Sequence, residues 1–224
     1  MPDPITAPAI ERYLDGLLPK RDPLVARVEA HAREHRLPIV GPAEGRLLFV
    51  LARLAQPKRV LELGCCTGYS ALFLAEAIEP FGGTIETIEL DSERASIAEG
   101  HFRESRYAHK IRLVRGNALD VLPRLEHDTY DLIFNDLLRS GAGETGGVPN
   151  QVRFLELSVP LLREGGVLLS DNVLCGGQVV EPPPSGPAAG IAEYNRRLMN
   201  HSELQTAIIP IRDGVAISIK RRRG

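Results

Sequence analysis

The sequence predicts a doubly wound α/β fold: a seven-stranded, mostly parallel sheet with an antiparallel C-terminal hairpin strand, preceded by helices. Two observations carry this. From residue 58 onward, five short apolar runs alternate with longer helix-like stretches, and two further runs near the C-terminus are joined only by Arg212-Asp213-Gly214. Parallel neighbours need crossover helices, so the alternation reads as a parallel sheet. Two runs with so short a link can pair only antiparallel.

In chain order, residues 7–55 read as helical, with 43–54 the clearest piece. Strand-like runs follow at 58–63, 84–90, 111–115, 130–135 and 166–170, with helices at 69–78, 92–103, 118–125 and 152–162 between them. A helix at 191–200 leads to the hairpin strands 204–210 and 215–220. A chain of 224 residues fits one domain with a sizeable core. The expected division is a helical segment over 1–57 and an α/β core over 58–224.

Lys and Arg total 27 against 29 Asp and Glu, so no overall basic field favours a nucleic-acid partner. The basic run Lys220-Arg221-Arg222-Arg223 reads as a solvated terminus. No apolar run approaches the ~20 residues of a membrane helix, and the start lacks a signal-like apolar stretch, so no membrane partner and a cytoplasmic location are expected. Three cysteines, two of them adjacent, cannot make a full disulfide framework, in keeping with a reducing compartment. Neither they nor the six scattered histidines show zinc-site spacing.

The most informative stretch is Arg59-Val60-Leu61-Glu62-Leu63-Gly64-Cys65-Cys66-Thr67-Gly68-Tyr69-Ser70, a strand entering a small-residue turn and then a helix. Gly64 and Gly68 can take positive φ, and the free N–H groups of the helix start point into the turn. A dinucleotide fingerprint spaces its glycines two and then three apart; here the pattern is Gly64-x-x-x-Gly68, with Cys66 crowding the middle position. The turn therefore suits a ligand without a pyrophosphate. Glu62, near the end of a buried strand, needs a partner, which a cationic or amine-bearing ligand would supply. Glu89 ends the second strand, where a carboxylate can accept both hydroxyls of a ribose; a helix-capping or surface role is the alternative.

With Glu89, the stretch 60–70 resembles the cofactor site of class I S-adenosylmethionine-dependent methyltransferases, whose fold is Rossmann-like. Pro38-Ile39-Val40-Gly41-Pro42-Ala43-Glu44-Gly45 is similar to the segment preceding the cofactor strand in the metal-dependent catechol and caffeoyl-CoA O-methyltransferases. Gly116-Asn117-Ala118-Leu119 resembles that family's adenine loop. Phe134-Asn135-Asp136 and Ser170-Asp171-Asn172-Val173 fall where the family holds its divalent metal. The likeness runs from about residue 24 to the C-terminus.

The resemblance implies a role for each matching position. Glu62 and the backbone of Gly64, Cys65 and Cys66 would hold the methionine portion of S-adenosylmethionine, Ser70 its carboxylate, and Val40 would close that side. Glu89 would bind the ribose, and Asn117 and Ala118 would frame the adenine. Asp136, Asp171 and Asn172 would ligate one Mg²⁺, Ca²⁺ or Mn²⁺, with Asp136 also lining the cofactor. Relatives are commonly dimers, so a homodimer is expected. The residues support the metal site independently: Asp136 and Asp171-Asn172 each follow a buried strand, at the strand ends where open α/β sheets bind ligands. Two carboxylates and an amide oxygen are hard ligands suited to Mg²⁺; a loop-capping role for Asp171-Asn172 is the alternative.

The chain departs from the family where the methyl would be received. Relatives place a candidate general base, a lysine, three residues after the first metal aspartate; Arg139 stands there, and an arginine holds its proton. Arg139 could instead stabilise a phenolate or bind a carboxylate or phosphate of the substrate. The family's second acidic loop residue is replaced by Leu138, and the glycine-rich 140–149 reads as an inserted lid beside the metal. The favoured reading is a metal-assisted O-methyltransferase acting on a small catechol-like or hydroxy-aromatic molecule, with Asp136 and Arg139 at the reaction. A methyltransferase of hydroxylated tRNA uridine and a non-catalytic S-adenosylmethionine-binding protein are the alternatives.

Overall fold

The computed structural model describes residues 5–140, 143–145 and 147–222. The chain forms two compact units, one of Ala9–Ala118 and one built mainly from residues 119–222.

The first unit opens with helices α1 (Pro8–Leu17), α2 (Pro23–Glu34) and α3 (Gly41–Ala55). Then come β1 (Arg59–Leu63), α4 (Tyr69–Ile78), β2 (Thr84–Glu89), α5 (Ser92–Glu104) and β3 (Ile111–Arg115). β1 pairs parallel with β2 and β2 with β3, in the order β3-β2-β1. Asp22 and Asp91 accept the first free N–H groups of α2 and α5 through their side chains, which fixes where those helices start. α4 is apolar around its whole circumference and buried along nearly its full length. A Cβ on Gly45 of α3 would stand 2.7 Å from the Phe73 ring of α4, so glycine lets these helices approach. Tyr69 of α4 donates its hydroxyl to Glu29 of α2 at 3.1 Å. α1 buries no residue; Ile10, Tyr13, Leu14 and Leu17 form an exposed apolar stripe at helical spacing.

The second unit follows α6 (Ala118–Val121) with β4 (Tyr130–Asn135), the two-residue strands β5 (Glu144–Thr145) and β6 (Val148–Pro149), α7 (Asn150–Leu161) and β7 (Leu162–Ser170). α8 (Pro187–Met199), β8 (Leu204–Ile209) and β9 (Val215–Lys220) complete it. β4 runs parallel to β7, with Asn135 opposite Ser170. β9 lies antiparallel to both β7 and β8, giving β4-β7-β9-β8. Three long strands in the first unit and four in the second make the seven expected, and within each unit they run parallel except β9. In the Arg212-Asp213-Gly214 turn, Gly214 sits at φ +81°, and a Cβ there would meet Leu174 at 2.5 Å.

Two expectations need revision. The stretch 118–125 is only a four-residue helix followed by a 3₁₀ turn at Leu122–Arg124, since Pro123 cannot donate to a continuing helix. Lys220 is not part of a solvated tail. It is 3% exposed, with Nζ donating to the carbonyls of Val159 and Leu162 at 3.1 and 2.6 Å and pairing with Asp128 at 3.1 Å. Arg221 and Arg222 are exposed, and Arg223 lies outside the described residues. Among the described residues no helix is long and apolar enough to cross a membrane.

Candidate active site

In the first unit, the turn after β1 takes the conformation its small residues permit. Gly64, Cys66 and Gly68 have φ of +92°, +48° and +85°. The Gly64 and Cys65 N–H groups both donate to the Ile88 carbonyl at 3.1 Å, and the Gly68 N–H donates to the Cys65 carbonyl at 2.8 Å. The turn is thereby folded against the end of β2. Gly68 caps the start of α4, and a Cβ there would lie 2.5 Å from the Phe102 ring. Both the positive φ and this approach call for glycine.

Glu62 is fully buried. The β1–β2 register sets it opposite Thr87, whose hydroxyl donates to Oε2, while Oε1 has no hydrogen-bond partner among the described residues. Burial pushes its pKa up to about 7, against the opposing influence of the Ser70 and Thr87 hydroxyls. The carboxyl therefore has an open acceptor and a strong electrostatic preference for a cation.

Glu89 is buried, and its carboxylate is oriented by the backbone: Oε2 accepts from the Cys66 N–H at 2.7 Å and Oε1 from the Asp91 N–H at 2.9 Å. Each oxygen keeps a second lone pair for a hydroxyl. The side chain that caps the first turn of α5 is that of Asp91. The Gly116 N–H donates to the Glu89 carbonyl at 2.8 Å, bringing the segment with exposed Asn117 and buried Ala118 to the end of β2. Ser70 and Cys65 are buried, and Val40, at the start of α3, is 2% exposed. Sequence reasoning missed Thr87, which only the strand register reveals. It also missed His101, whose Nδ1 meets the Thr67 carbonyl at 2.8 Å and braces the turn.

In the second unit, the Asn135–Ser170 register puts Asp136 and Asp171 side by side at the ends of β4 and β7. The Asp171 N–H donates to the Asn135 carbonyl at 3.0 Å. Asn172 takes φ +64°, a conformation Asn tolerates. Its side chain thereby turns back so that Nδ2 donates to Asp136 Oδ1 at 3.0 Å and to Asp171 Oδ2 at 2.7 Å. Below them Ser170 and Tyr194 share a buried hydrogen bond of 2.6 Å. The three residues thus converge within hydrogen-bond reach. Among the described residues no three His, Cys, Asp or Glu side chains cluster as metal ligands; this set has two carboxylates and one amide. An all-oxygen set of that kind fits Mg²⁺, Ca²⁺ or Mn²⁺, provided the amide turns its oxygen inward. Burial raises the pKa of the Cys175 thiol.

Arg139 is about half exposed, and its Nη1 donates to Asp213 Oδ2 at 3.3 Å. The other Asp213 oxygen accepts from the Gly176 N–H. Leu138 is buried, with its carbonyl held by Gln151 Nε2 at 3.0 Å. In the glycine-rich stretch, Gly141, Ala142 and Gly146 lie outside the described residues; Glu144–Thr145 and Val148–Pro149 pair as a small antiparallel ribbon.

Comparison with known proteins identifies the family. A family model described as O-methyltransferase matches residues 23–221. The catechol O-methyltransferase of Mycobacterium tuberculosis is 30% identical over 221 residues, covering 96% of each protein. A putative O-methyltransferase of Mycobacteroides abscessus is 32% identical, covering 92% of each. The O-methyltransferase TomG from Streptomyces achromogenes, involved in tomaymycin synthesis and solved in complex with S-adenosylmethionine, aligns with a TM-score of 0.82 at 30% identity over 96% of both chains. Matched almost end to end in sequence and in fold, the chain belongs to the family of S-adenosylmethionine-dependent O-methyltransferases.

Proposed function

We propose that the protein transfers the methyl group of S-adenosylmethionine to a hydroxyl of a small catechol-like or hydroxy-aromatic molecule, assisted by a divalent cation. The observation that carries the metal assignment is the convergence of Asn172 on both Asp136 and Asp171 at the ends of two paired strands. Names of relatives support the substrate class: two of them, from Mycobacterium tuberculosis and Niastella koreensis, are catechol O-methyltransferases.

In this reading the first unit holds the methyl donor. Glu62 accepts the ammonium of the methionine portion, the backbone of Gly64, Cys65 and Cys66 packs against that portion, Ser70 contacts its carboxylate, and Val40 closes that side. Glu89 takes the ribose hydroxyls with its remaining lone pairs, and Asn117 and Ala118 frame the adenine. In the second unit Asp136, Asp171 and Asn172 hold the cation.

When bound, S-adenosylmethionine supplies an electrophilic methyl on a sulfonium sulfur. A divalent cation, when bound, lowers the pKa of a coordinated hydroxyl and fixes its position. Transfer forms an O–C bond, breaks the S–C bond and releases one proton. Arg139 cannot take that proton, because a guanidinium stays charged; it stabilises negative charge on the substrate, and the proton passes to solvent. Alignment of oxygen, methyl and sulfur supplies much of the rate. The chain works in this reading as a single cytoplasmic methyltransferase domain that forms a homodimer, with the apolar stripe of α1 as a candidate contact.

The test is product formation from catechol and S-adenosylmethionine with Mg²⁺ and after chelation. Turnover that stops with chelator and returns with Mg²⁺ supports the reading; undiminished turnover in chelator removes the metal from it.

A further inference from the structure

The Arg139–Asp213 pair is asymmetric. Asp213 is anchored: one oxygen takes the Gly176 N–H, its carbonyl takes the Leu174 N–H at 2.9 Å, and its side chain is only 13% exposed. Arg139 is the outward partner, 57% exposed, and among the described residues only one of its N–H groups meets an acceptor, at the long distance of 3.3 Å. A guanidinium carries five donors in a planar fork that matches a carboxylate bidentately. Among the described residues most of that fork has no acceptor, and it stands three residues after Asp136, next to Leu138, whose carbonyl is held by Gln151.

We propose that Arg139 is the specificity-determining residue for a carboxylate on the substrate. Asp213 acts as the positioning residue that holds the guanidinium in place. The substrate class is then an aromatic carboxylate bearing vicinal hydroxyls, rather than a neutral diol. This rests on the reading of Asp136, Asp171 and Asn172 as the site that takes the hydroxyls. A lysine at the same position would offer a point charge, whereas the arginine offers a fork.

The experiment compares catechol with 3,4-dihydroxybenzoate, both in turnover with Mg²⁺ and in calorimetric binding to the protein loaded with Mg²⁺ and S-adenosylhomocysteine. The expected result is a tenfold to hundredfold advantage for the carboxylate, on the order of one charge-assisted contact, expressed in KM and Kd more than in kcat. Arg139→Gln should abolish the advantage, Arg139→Lys should restore part of it, and Asp213→Asn should reduce it. Equal binding and turnover of the two ligands, or an advantage that survives Arg139→Gln, overturns this proposal and leaves the methyltransferase reading intact. Failure to methylate either compound, with S-adenosylhomocysteine still bound, overturns both.

Discussion

The burial of Glu62 leads to a proton-linked prediction. Its carboxyl has a pKa of about 7, raised by desolvation, with one oxygen bonded to Thr87 and the other unpartnered among the described residues. A bound ammonium would favour the ionised form and expel the proton. Taking 7 for the free protein and a value well below 6 for the complex, binding should release about 0.9 proton at pH 6 and about 0.5 at pH 7. Affinity for S-adenosylmethionine should correspondingly weaken about fivefold from pH 7 to pH 6. An α-amino group titrates near pH 8, so the ligand itself stays largely charged over this range. Calorimetric titrations in two buffers of different ionisation enthalpy measure the release directly. Glu62→Gln should eliminate it and weaken binding by roughly tenfold to a hundredfold, the order of a lost charged hydrogen bond. The stability of the unliganded protein should move the other way. A raised carboxyl pKa stabilises the fold fully below the unfolded value and loses that contribution as pH rises through about 7, in total about 3 kcal/mol. Proton release undiminished in the Gln variant, or none in the wild type at pH 6, would refute the pairing of Glu62 with the ligand ammonium.

Asp136→Asn and Asp171→Asn should each weaken Mn²⁺ binding, read by electron paramagnetic resonance, at least tenfold, because each removes one of only two carboxylates. Gly68→Ala should cost about 2 kcal/mol or more in chemical denaturation and weaken S-adenosylmethionine binding, since it forces φ +85° on an L-residue and drives a methyl into Phe102. Lys220→Ala should destabilise by about 1–3 kcal/mol, removing the buried bonds to the Val159 and Leu162 carbonyls, of which Val159 keeps the Leu162 N–H, while S-adenosylmethionine affinity stays unchanged. If the proposed homodimer forms through the exposed stripe of α1, light scattering should give a dimer mass for the wild type and a monomer mass for Leu14→Glu; a dimer mass unchanged in the variant would show that this face is not the contact.

Much of the fold is legible because its signals are local. The apolar runs of β1, β2, β3 and β4 fall within a residue or two of their sequence positions, and the short 212–214 link admits only an antiparallel pair. Gly64 and Gly68 use the positive φ that their spacing suggests. What the sequence hides depends on register and tertiary contact. Thr87 becomes the partner of Glu62 only once β1 and β2 are aligned, and Asn172 reaches Asp136 only because β4 and β7 pair and Asn172 turns left-handed. Lys220 illustrates the opposite error. A basic run at a terminus reads as solvated, yet alternation along β9 turns its first residue inward to carbonyls from α7 and β7. Asp213 reads as turn chemistry and carries, in addition, the Arg139 contact and the anchoring of the 174–176 segment.

In the proposed function, methyl transfer depends on the Asp136, Asp171 and Asn172 set. Its most direct test follows isotopically labelled methyl from S-adenosylmethionine into 3,4-dihydroxybenzoate or catechol, with Mg²⁺, with chelator, and with the Asp171→Asn protein saturated in S-adenosylmethionine. Labelled O-methyl product is expected only for the wild type with Mg²⁺, with S-adenosylmethionine binding retained in all three arms. Equal product in the chelated or Asp171→Asn arm would contradict that dependence.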